Sequence, residues 1–312
     1  MSPPARILCC DHRGEGLAVS LSGSDFEGFE VQHAGDSRST REAYRSSPPD
    51  LIVLDPLAEG GTAELEDVER LRGGDPPVPL LVVVEAGDAR RAVIASRVLE
   101  HGSFDLIHRG SPPEEFRLRI DRLLALARAQ GEIADLRHRA LHDDRTDLLR
   151  PAAFERRLAE HFSAAERHRL PLALVVIDLD GFGRVNKEFD HVTGDRVITS
   201  VGEAIRAALR AEDVAGRLGG DEFGVLLPYT ARIEAAHAVR RLRNQIRDRS
   251  HAVLGVPRGF EVRASLGFET FDGSDVASSA ELRAHAEAAL REAKRRGGDR
   301  GVYYRSLAEP RG

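Results

Sequence analysis

Five short apolar runs punctuate the first 125 residues, and each stops at a charged or turn-forming residue. Ala5–Cys10 ends at Asp11, Phe29–His33 follows, and Asp50–Leu54 ends at Asp55-Pro56. Pro79–Val84 runs into Glu85-Ala86-Gly87-Asp88, and Phe104–His108 is the fifth. Helical patterns lie between most of them. Strands that alternate with helices have few solutions, and the commonest is a parallel sheet covered by helices on both faces. In such sheets function gathers outside the carboxyl ends of the strands, where Asp11 and Asp55 both stand.

From Pro113 to about His142 the pattern becomes helical. Leu126, Ala129, Ile133, Leu136 and Ala140 recur at spacings of 3, 4, 3 and 4. That seam suits a helix that pairs with a second copy, or one that packs on its own domain. Asp143-Asp144-Arg145-Thr146-Asp147 then breaks the pattern and offers caps for a new helix. Beyond it the elements alternate differently: helix Pro151–Arg167, strand Leu172–Ile177, helix Gly194–Leu209, strands Val214–Leu218 and Phe223–Leu227, helix Thr230–Arg247, strand Phe260–Phe271, helix Ala280–Arg296 and strand Gly301–Tyr304. A hairpin plus crossover helices predicts a mixed sheet with antiparallel pairing. The organisation expected is α/β throughout: a doubly wound parallel sheet over 1–125, a linker helix over 126–142, and a mixed-sheet α+β domain over 143–308.

Several classes are disfavoured. The longest apolar runs, Leu80–Val84 and Leu172–Ile177, are strand-sized, whereas a membrane helix needs about 20 residues. A net charge of −6 does not suit a general nucleic-acid binder. Cys9 and Cys10 are adjacent, so on a strand they point to opposite faces and do not bridge. Together with the lack of a signal pattern, this predicts a cytoplasmic protein. Arginine far outnumbers lysine; the lysines are Lys187 and Lys294.

The chemistry concentrates in the second half. Gly-Gly-Asp occurs three times. Gly73-Gly74-Asp75 runs into prolines and reads as a loop, and Gly297-Gly298-Asp299 follows a helix and reads as a cap. Gly219-Gly220-Asp221-Glu222-Phe223 lies between two strands, where glycines permit positive φ and let a phosphate approach the backbone. Consecutive carboxylates at a tight turn repel, and a divalent cation removes that cost. Asp178 and Asp180, at the end of another strand, supply more oxygen. Metal ions so placed polarise a phosphate and activate a hydroxyl.

With these motifs in order, residues 143–308 resemble the GGDEF-domain diguanylate cyclases. The signature Gly219–Phe223 is intact, and Ile177-Asp178-Leu179-Asp180-Gly181-Phe182 looks like the family's metal-binding strand end. Asn186, His191 and Gly194-Asp195 match its guanine-recognition segment, and Ser265-Leu266-Gly267 and Ala289–Lys294 match its later strand and helix. The resemblance implies two GTP molecules joined into cyclic di-GMP with release of pyrophosphate, on Mg²⁺ or Mn²⁺. It implies metal ligation by Asp178, Asp221, Glu222 and the Leu179 carbonyl, and catalysis by Asp221, as base, with Glu222. Substrate contacts fall to Phe182, Gly183, Asn186, Asp195 and Lys294. Arg210 and Asp213, with Arg241 on the next helix, match a product-inhibition site. The chemistry needs two half-sites, hence a homodimer.

The sequence also departs from the family. Gly183 stands where a phosphate-binding lysine is usual, and Gly298 where an arginine is usual, with Arg184 and Arg300 close by. Asp144-Arg145-Thr146-Asp147-Leu148 stands for an Asp-Leu-Thr-Gly-Leu type sequence. The lost cations keep a second reading open, a cyclic di-GMP receptor with weakened catalysis. Residues 5–125 resemble receiver domains of response regulators. Asp55 matches the phosphorylated aspartate and Asp11 one of the acidic pair; Arg109 takes the usual lysine position and Val84 the Thr/Ser switch. This implies a histidine kinase as upstream partner, or a receiver-like dimerisation module that no longer switches.

Overall fold

A computed structural model describes residues 3–12, 21, 26–55, 66–68, 70–73, 77–85, 103–188, 191–250, 262–273 and 275–307. The side chains of Asn186, Glu188 and Ser250 lie outside that description, as do Gly74, Asp75, Pro56 and the segment from Ala86 to Asp88. The chain divides into two compact units, Met1–Arg137 and His138–Gly312.

The first unit is a five-stranded parallel sheet. Its strands are β1 (Ala5–Asp11), β2 (Phe29–Ala34), β3 (Leu51–Asp55), β4 (Leu80–Val84) and β5 (Phe104–His108), in the order β2-β1-β3-β4-β5. Alternation decides its two faces. Ile7, Cys9, Leu51, Val53, Leu81 and Val83 enter one core, and Leu8, Cys10, Ile52, Leu54, Leu80 and Val82 enter the other. Both cysteines are free and buried; burial pushes the thiols up, Cys10 to about 11, so they stay protonated. Helix α1 (Ser37–Ser46) starts at Asp36, whose carboxylate accepts from the Ser39 N–H while the Ser39 hydroxyl accepts from the Asp36 N–H.

Helix α2 runs unbroken from Pro113 to Leu141. Its first half buries Phe116, Ile120, Leu123 and Leu124 in the first unit's core. The predicted seam follows, and Leu126, Ile133 and Leu136 are 45%, 49% and 64% exposed.

The second unit is the mixed sheet that the hairpin pattern implies, its strands lying side by side in the order Gly301–Tyr303, Ala264–Phe271, Leu172–Leu179, Glu222–Pro228 and Val214–Gly219. Its strands are β6 (Leu172–Leu179), β7 (Val214–Gly219), β8 (Glu222–Pro228), β9 (Ala264–Phe271) and β10 (Gly301–Tyr303). Pairing is antiparallel except between β9 and β10. Along β6, Ala173, Val175, Ile177 and Leu179 face one core and Leu172, Leu174 and Val176 the other. The covering helices are α3 (Pro151–His168), α4 (Phe182–Glu188), α5 (His191–Ala208), α6 (Arg232–Ser250) and α7 (Ser279–Arg295).

Several expected bounds are corrected. β6 continues to Leu179 because β8 and β9 both pair with its last residues. β9 begins at Ala264, since Val262 and Arg263 are irregular; Phe260 lies outside the described residues. The helix expected from Gly194 begins at His191 and is preceded by the separate short α4. Among the described residues no helix is long and apolar enough to cross a membrane.

Candidate functional site

The hairpin turn and the end of β6 are brought together by sheet register. Asp178 is paired with Glu222 across β6 and β8, and the Leu179 N–H donates to the Asp221 carbonyl at 3.3 Å. The turn is made by Gly219 at φ 158° and Gly220 at φ 51°, the second in the left-handed region that favours glycine. Arg217 ties the turn to the 143–148 segment. Its guanidinium donates to the Gly220 carbonyl at 2.8 Å and pairs with Asp143 at 3.1 Å. Sequence reading missed Arg217, which carries no motif signal of its own in an arginine-rich chain.

Three carboxylates therefore crowd one strand end. Burial pushes the Asp178 carboxyl up, Lys294 opposes this, and Asp221 and Glu222 push it further up. Lys294 Nζ lies 2.6 Å from Asp178 Oδ2, reaching over from α7. A buried carboxylate with two acidic neighbours and an all-oxygen donor set fits a hard divalent cation such as Mg²⁺ or Mn²⁺.

Asp180, expected to add oxygen to this cluster, is engaged elsewhere. Its Oδ1 accepts from Ser265 Oγ and its Oδ2 from the Asp299 N–H, both at 2.7 Å. It thus anchors the Gly297-Gly298-Asp299 turn, whose residues all have positive φ. The turn closes α7 as the sequence suggested, with the Gly298 N–H donating to the Ala293 carbonyl. Arg300 donates to the Gly298 carbonyl at 3.0 Å.

Phe182 opens α4 and packs, half-buried, against the core beside β6. Gly183 follows, exposed, with open space where a side chain would stand. Asn186 lies on the same short helix. Asp195 stands on the first turns of α5, and its carboxylate pairs with Arg145 at 2.8 Å. Arg145 is the residue that departs from the usual leucine, so this contact was not foreseeable from the motif.

Arg210, Asp213 and Arg241 line one cavity of about 160 Å³, together with Leu227 near the far end of β8 from its turn, and with Glu234 and His237. The Asp213 carboxylate accepts from the Arg210 backbone N–H at 2.9 Å, and Arg241 Nε donates to the Ala208 carbonyl at 2.9 Å. Burial is the main reason the Asp213 carboxyl is pushed up. Glu234 and His237 were not singled out by the sequence, although they precede Arg241 on α6 by helical spacings that share its face.

In the first unit Asp11 and Asp55 end neighbouring strands and are register partners. Arg109, just after β5, pairs with the Asp55 carboxylate, which is almost fully buried. Glu85 is 4.0 Å from the same guanidinium.

Residues 140–300 match the family model described as "Diguanylate cyclase, GGDEF domain". The chain is 37% identical over 197 residues to diguanylate cyclase TpbB of Pseudomonas aeruginosa strain UCBPP-PA14, covering 63% of this chain and 44% of that one. It is 35% identical over 170 residues to diguanylate cyclase DgcP of P. aeruginosa, covering 54% and 25%. The chain thus spans less than half the length of these relatives. Among solved structures, the coiled coil and GGDEF domain of DgcB from Caulobacter crescentus, in complex with c-di-GMP, matches with a TM-score of 0.53 and 27% identity. That match covers 61% of this chain and 98% of that chain.

Proposed function

The chain belongs to the GGDEF-domain family over residues 140–300, and on that premise we propose that it is a diguanylate cyclase. It joins two GTP molecules into cyclic di-GMP and releases two pyrophosphates. Each 3'-hydroxyl attacks the other nucleotide's α-phosphate; one P–O bond forms as the bond to pyrophosphate breaks. The observation that carries this reading is the convergence of Asp178, Asp221 and Glu222 at one strand end beside a glycine turn.

Asp178, Asp221 and Glu222, with the Leu179 carbonyl, would hold the divalent cation. Mg²⁺ or Mn²⁺ supplies Lewis-acid polarisation of the phosphate when bound. Asp221 takes the proton from the 3'-hydroxyl, with Glu222 beside it. Phe182 and the open backbone at Gly183 border the phosphates, Lys294 contacts them, and Asn186 and Asp195 hydrogen-bond the guanine edge. Product binds in the cavity of Arg210, Asp213 and Arg241 and inhibits, since guanidinium suits both phosphate and guanine. The reaction needs two half-sites, and the exposed Leu126–Ala140 seam suits a homodimer. The first unit acts as a receiver-like module in which a histidine kinase phosphorylates Asp55, read by Arg109 in place of lysine. The protein works in the cytoplasm.

The glycines at 183 and 298 favour a second reading, a cyclic di-GMP receptor without turnover. The test is to incubate the full chain with GTP and Mg²⁺ and separate the nucleotides chromatographically. Cyclic di-GMP is expected from the wild type and none from Asp221→Asn. Binding of cyclic di-GMP without synthesis by the wild type would replace the enzyme with the receptor. Product from Asp221→Asn at the wild-type rate would remove the assigned base and ligand.

A further inference from the structure

A cluster of metal-ligating side chains sits where α2 ends, outside the carboxylate site. His138 and His142 are four residues apart at the end of the helix and share one face. Their rings stack, with centroids 4.2 Å apart and planes 11° from parallel. Asp147, in the following turn, reaches back to them. Its Oδ1 lies 2.7 Å from His138 Nε2 and 3.9 Å from His142 Nδ1. Arg206, from α5, holds the other oxygen, Oδ2, at 2.9 Å. That contact fixes the carboxylate and leaves Oδ1 directed at the imidazoles.

Asp147 also has an uncommon backbone conformation. Its φ of 57° is left-handed, a region that aspartate and asparagine enter more readily than other residues bearing Cβ. Glycine would take that conformation freely and is the residue typical of the motif here. The aspartate in its place sets a carboxylate against the two histidines.

We propose that His138, His142 and Asp147 form a site for a divalent transition-metal ion of the zinc class. The three donor atoms lie within 4.8 Å of one another. Zinc arms of about 2.0–2.2 Å require donors roughly 3.4 Å apart. The distances of 2.7 and 3.9 Å straddle that value; for both lone pairs to meet one ion, a ring must turn out of the stack and His142 Nδ1 must exchange its 3.0 Å contact with the Asp147 carbonyl oxygen for the ion. Two imidazoles and one carboxylate are the ligand types zinc prefers, and the partial exposure of the cluster leaves a fourth position for water. The all-oxygen cluster around Asp178 suits a harder cation, so the two sites select different ions.

The location gives the ion a regulatory consequence. It would pin the end of the linker helix to the 143–148 turn. Asp143 in that turn pairs with Arg217, which in turn holds the Gly220 carbonyl of the glycine hairpin. Ion binding itself is independent of the cyclase reading; an effect on turnover rests on it.

The full chain, stripped by chelation and kept in excess Mg²⁺ to fill the carboxylate cluster, is titrated with Zn²⁺ against a chromophoric competitor. One site per chain is expected. Loss of a partner that only orients a ligand costs about 10–100-fold in affinity, so loss of a ligand should cost at least about 100-fold. That loss is expected in both His138→Ala/His142→Ala and Asp147→Gly. Asp147→Gly is the informative variant, because glycine fits the left-handed backbone and the turn keeps its shape. Hydrogen exchange over 138–148 should slow on adding Zn²⁺ to the wild type and be unmoved in Asp147→Gly. Equal Zn²⁺ affinity in wild type and variants, or no saturable site in the wild type, would overturn the proposal, whatever the GTP assay gives.

Discussion

Two positions where related domains carry a cation hold glycine in this chain, and restoring the cation should have opposite effects at the two. Gly183 lies exposed on α4 with nothing within 4 Å of an added Cβ. Lysine there replaces a helical glycine, a gain of roughly 0.5–1 kcal/mol. Its ammonium can then meet phosphate. At this exposed position the contact is worth about 1–2 kcal/mol, below or at the low end of the range for hydrogen bonds to charged groups, which is roughly 5–30-fold in GTP affinity. Gly298 is different. Its φ is 76°, and an added Cβ would sit 2.9 Å from the Asp180 carboxylate. Arginine there incurs about 1–2 kcal/mol for the left-handed backbone. It also displaces a carboxylate whose bonds to Ser265 and Asp299 are each 2.7 Å long. Losing one such charged bond costs about 1.5–3 kcal/mol, so the total is roughly 2.5–5 kcal/mol, a large part of a domain's usual stability. The assays are urea unfolding followed by circular dichroism and GTP dependence followed by pyrophosphate release. Gly183→Lys should lower the KM for GTP and leave or raise the unfolding midpoint, and Gly298→Arg should lower the midpoint without improving KM. A Gly298→Arg variant as stable as wild type with tighter GTP binding would refute the reasoning.

Two further outcomes are expected. Burial raises the Asp143 carboxyl, but hydrogen bonds from Thr146 and the Arg217 guanidinium outweigh it and leave it below the usual range. A depressed folded value means the stabilisation is present above the unfolded value of about 3.9 and lost as pH falls through the folded one. The stability gap between wild type and Asp143→Asn should therefore be full near neutrality and shrink in acid; a gap constant with pH would show that the charge of Asp143 contributes nothing. Arg145→Leu should release Asp195 from a pair that is about half exposed on both sides. Such pairs are worth about 0.2–1 kcal/mol, so the KM for GTP should fall by up to about 5-fold, with a higher ratio of guanine to adenine product from mixed nucleotides. An unchanged KM and ratio would mean that the pair does not compete with the base.

The sequence made the architecture legible wherever a local pattern decided it. Strand–helix alternation located all five strands of the first sheet, and the Gly-Gly turn between two apolar runs located the hairpin. Long-range register was not legible: nothing local pairs Asp178 with Glu222, 44 positions on. Asp180 was misplaced because alternation puts residues i and i+2 on one face only while the strand lasts, and β6 ends at Leu179. Helix α4 was missed because seven residues, one of them Gly183, make too short a window for a 3.6-residue period. Arg145 and Arg217 gave no signal because their importance lies in partners distant in sequence, Asp195 and Asp143.

Lys294 links the fold to the proposed chemistry most closely. Asp178 is buried and stands beside two other carboxylates, so without a counterion its charge would be strongly disfavoured. Lys294 provides that counterion from α7 while remaining about half exposed itself, at the end of a flexible stem. The ammonium is therefore held by its charge more than by packing. On the proposed reading Asp178 would help to hold a divalent cation, and the Lys294 ammonium beside it would be available to a phosphate. The same argument explains why a lysine, rather than one of the chain's many arginines, suits this point. A guanidinium would hold a carboxylate with two parallel bonds, whereas an ammonium acts as a point charge that can change partners without satisfying a planar geometry.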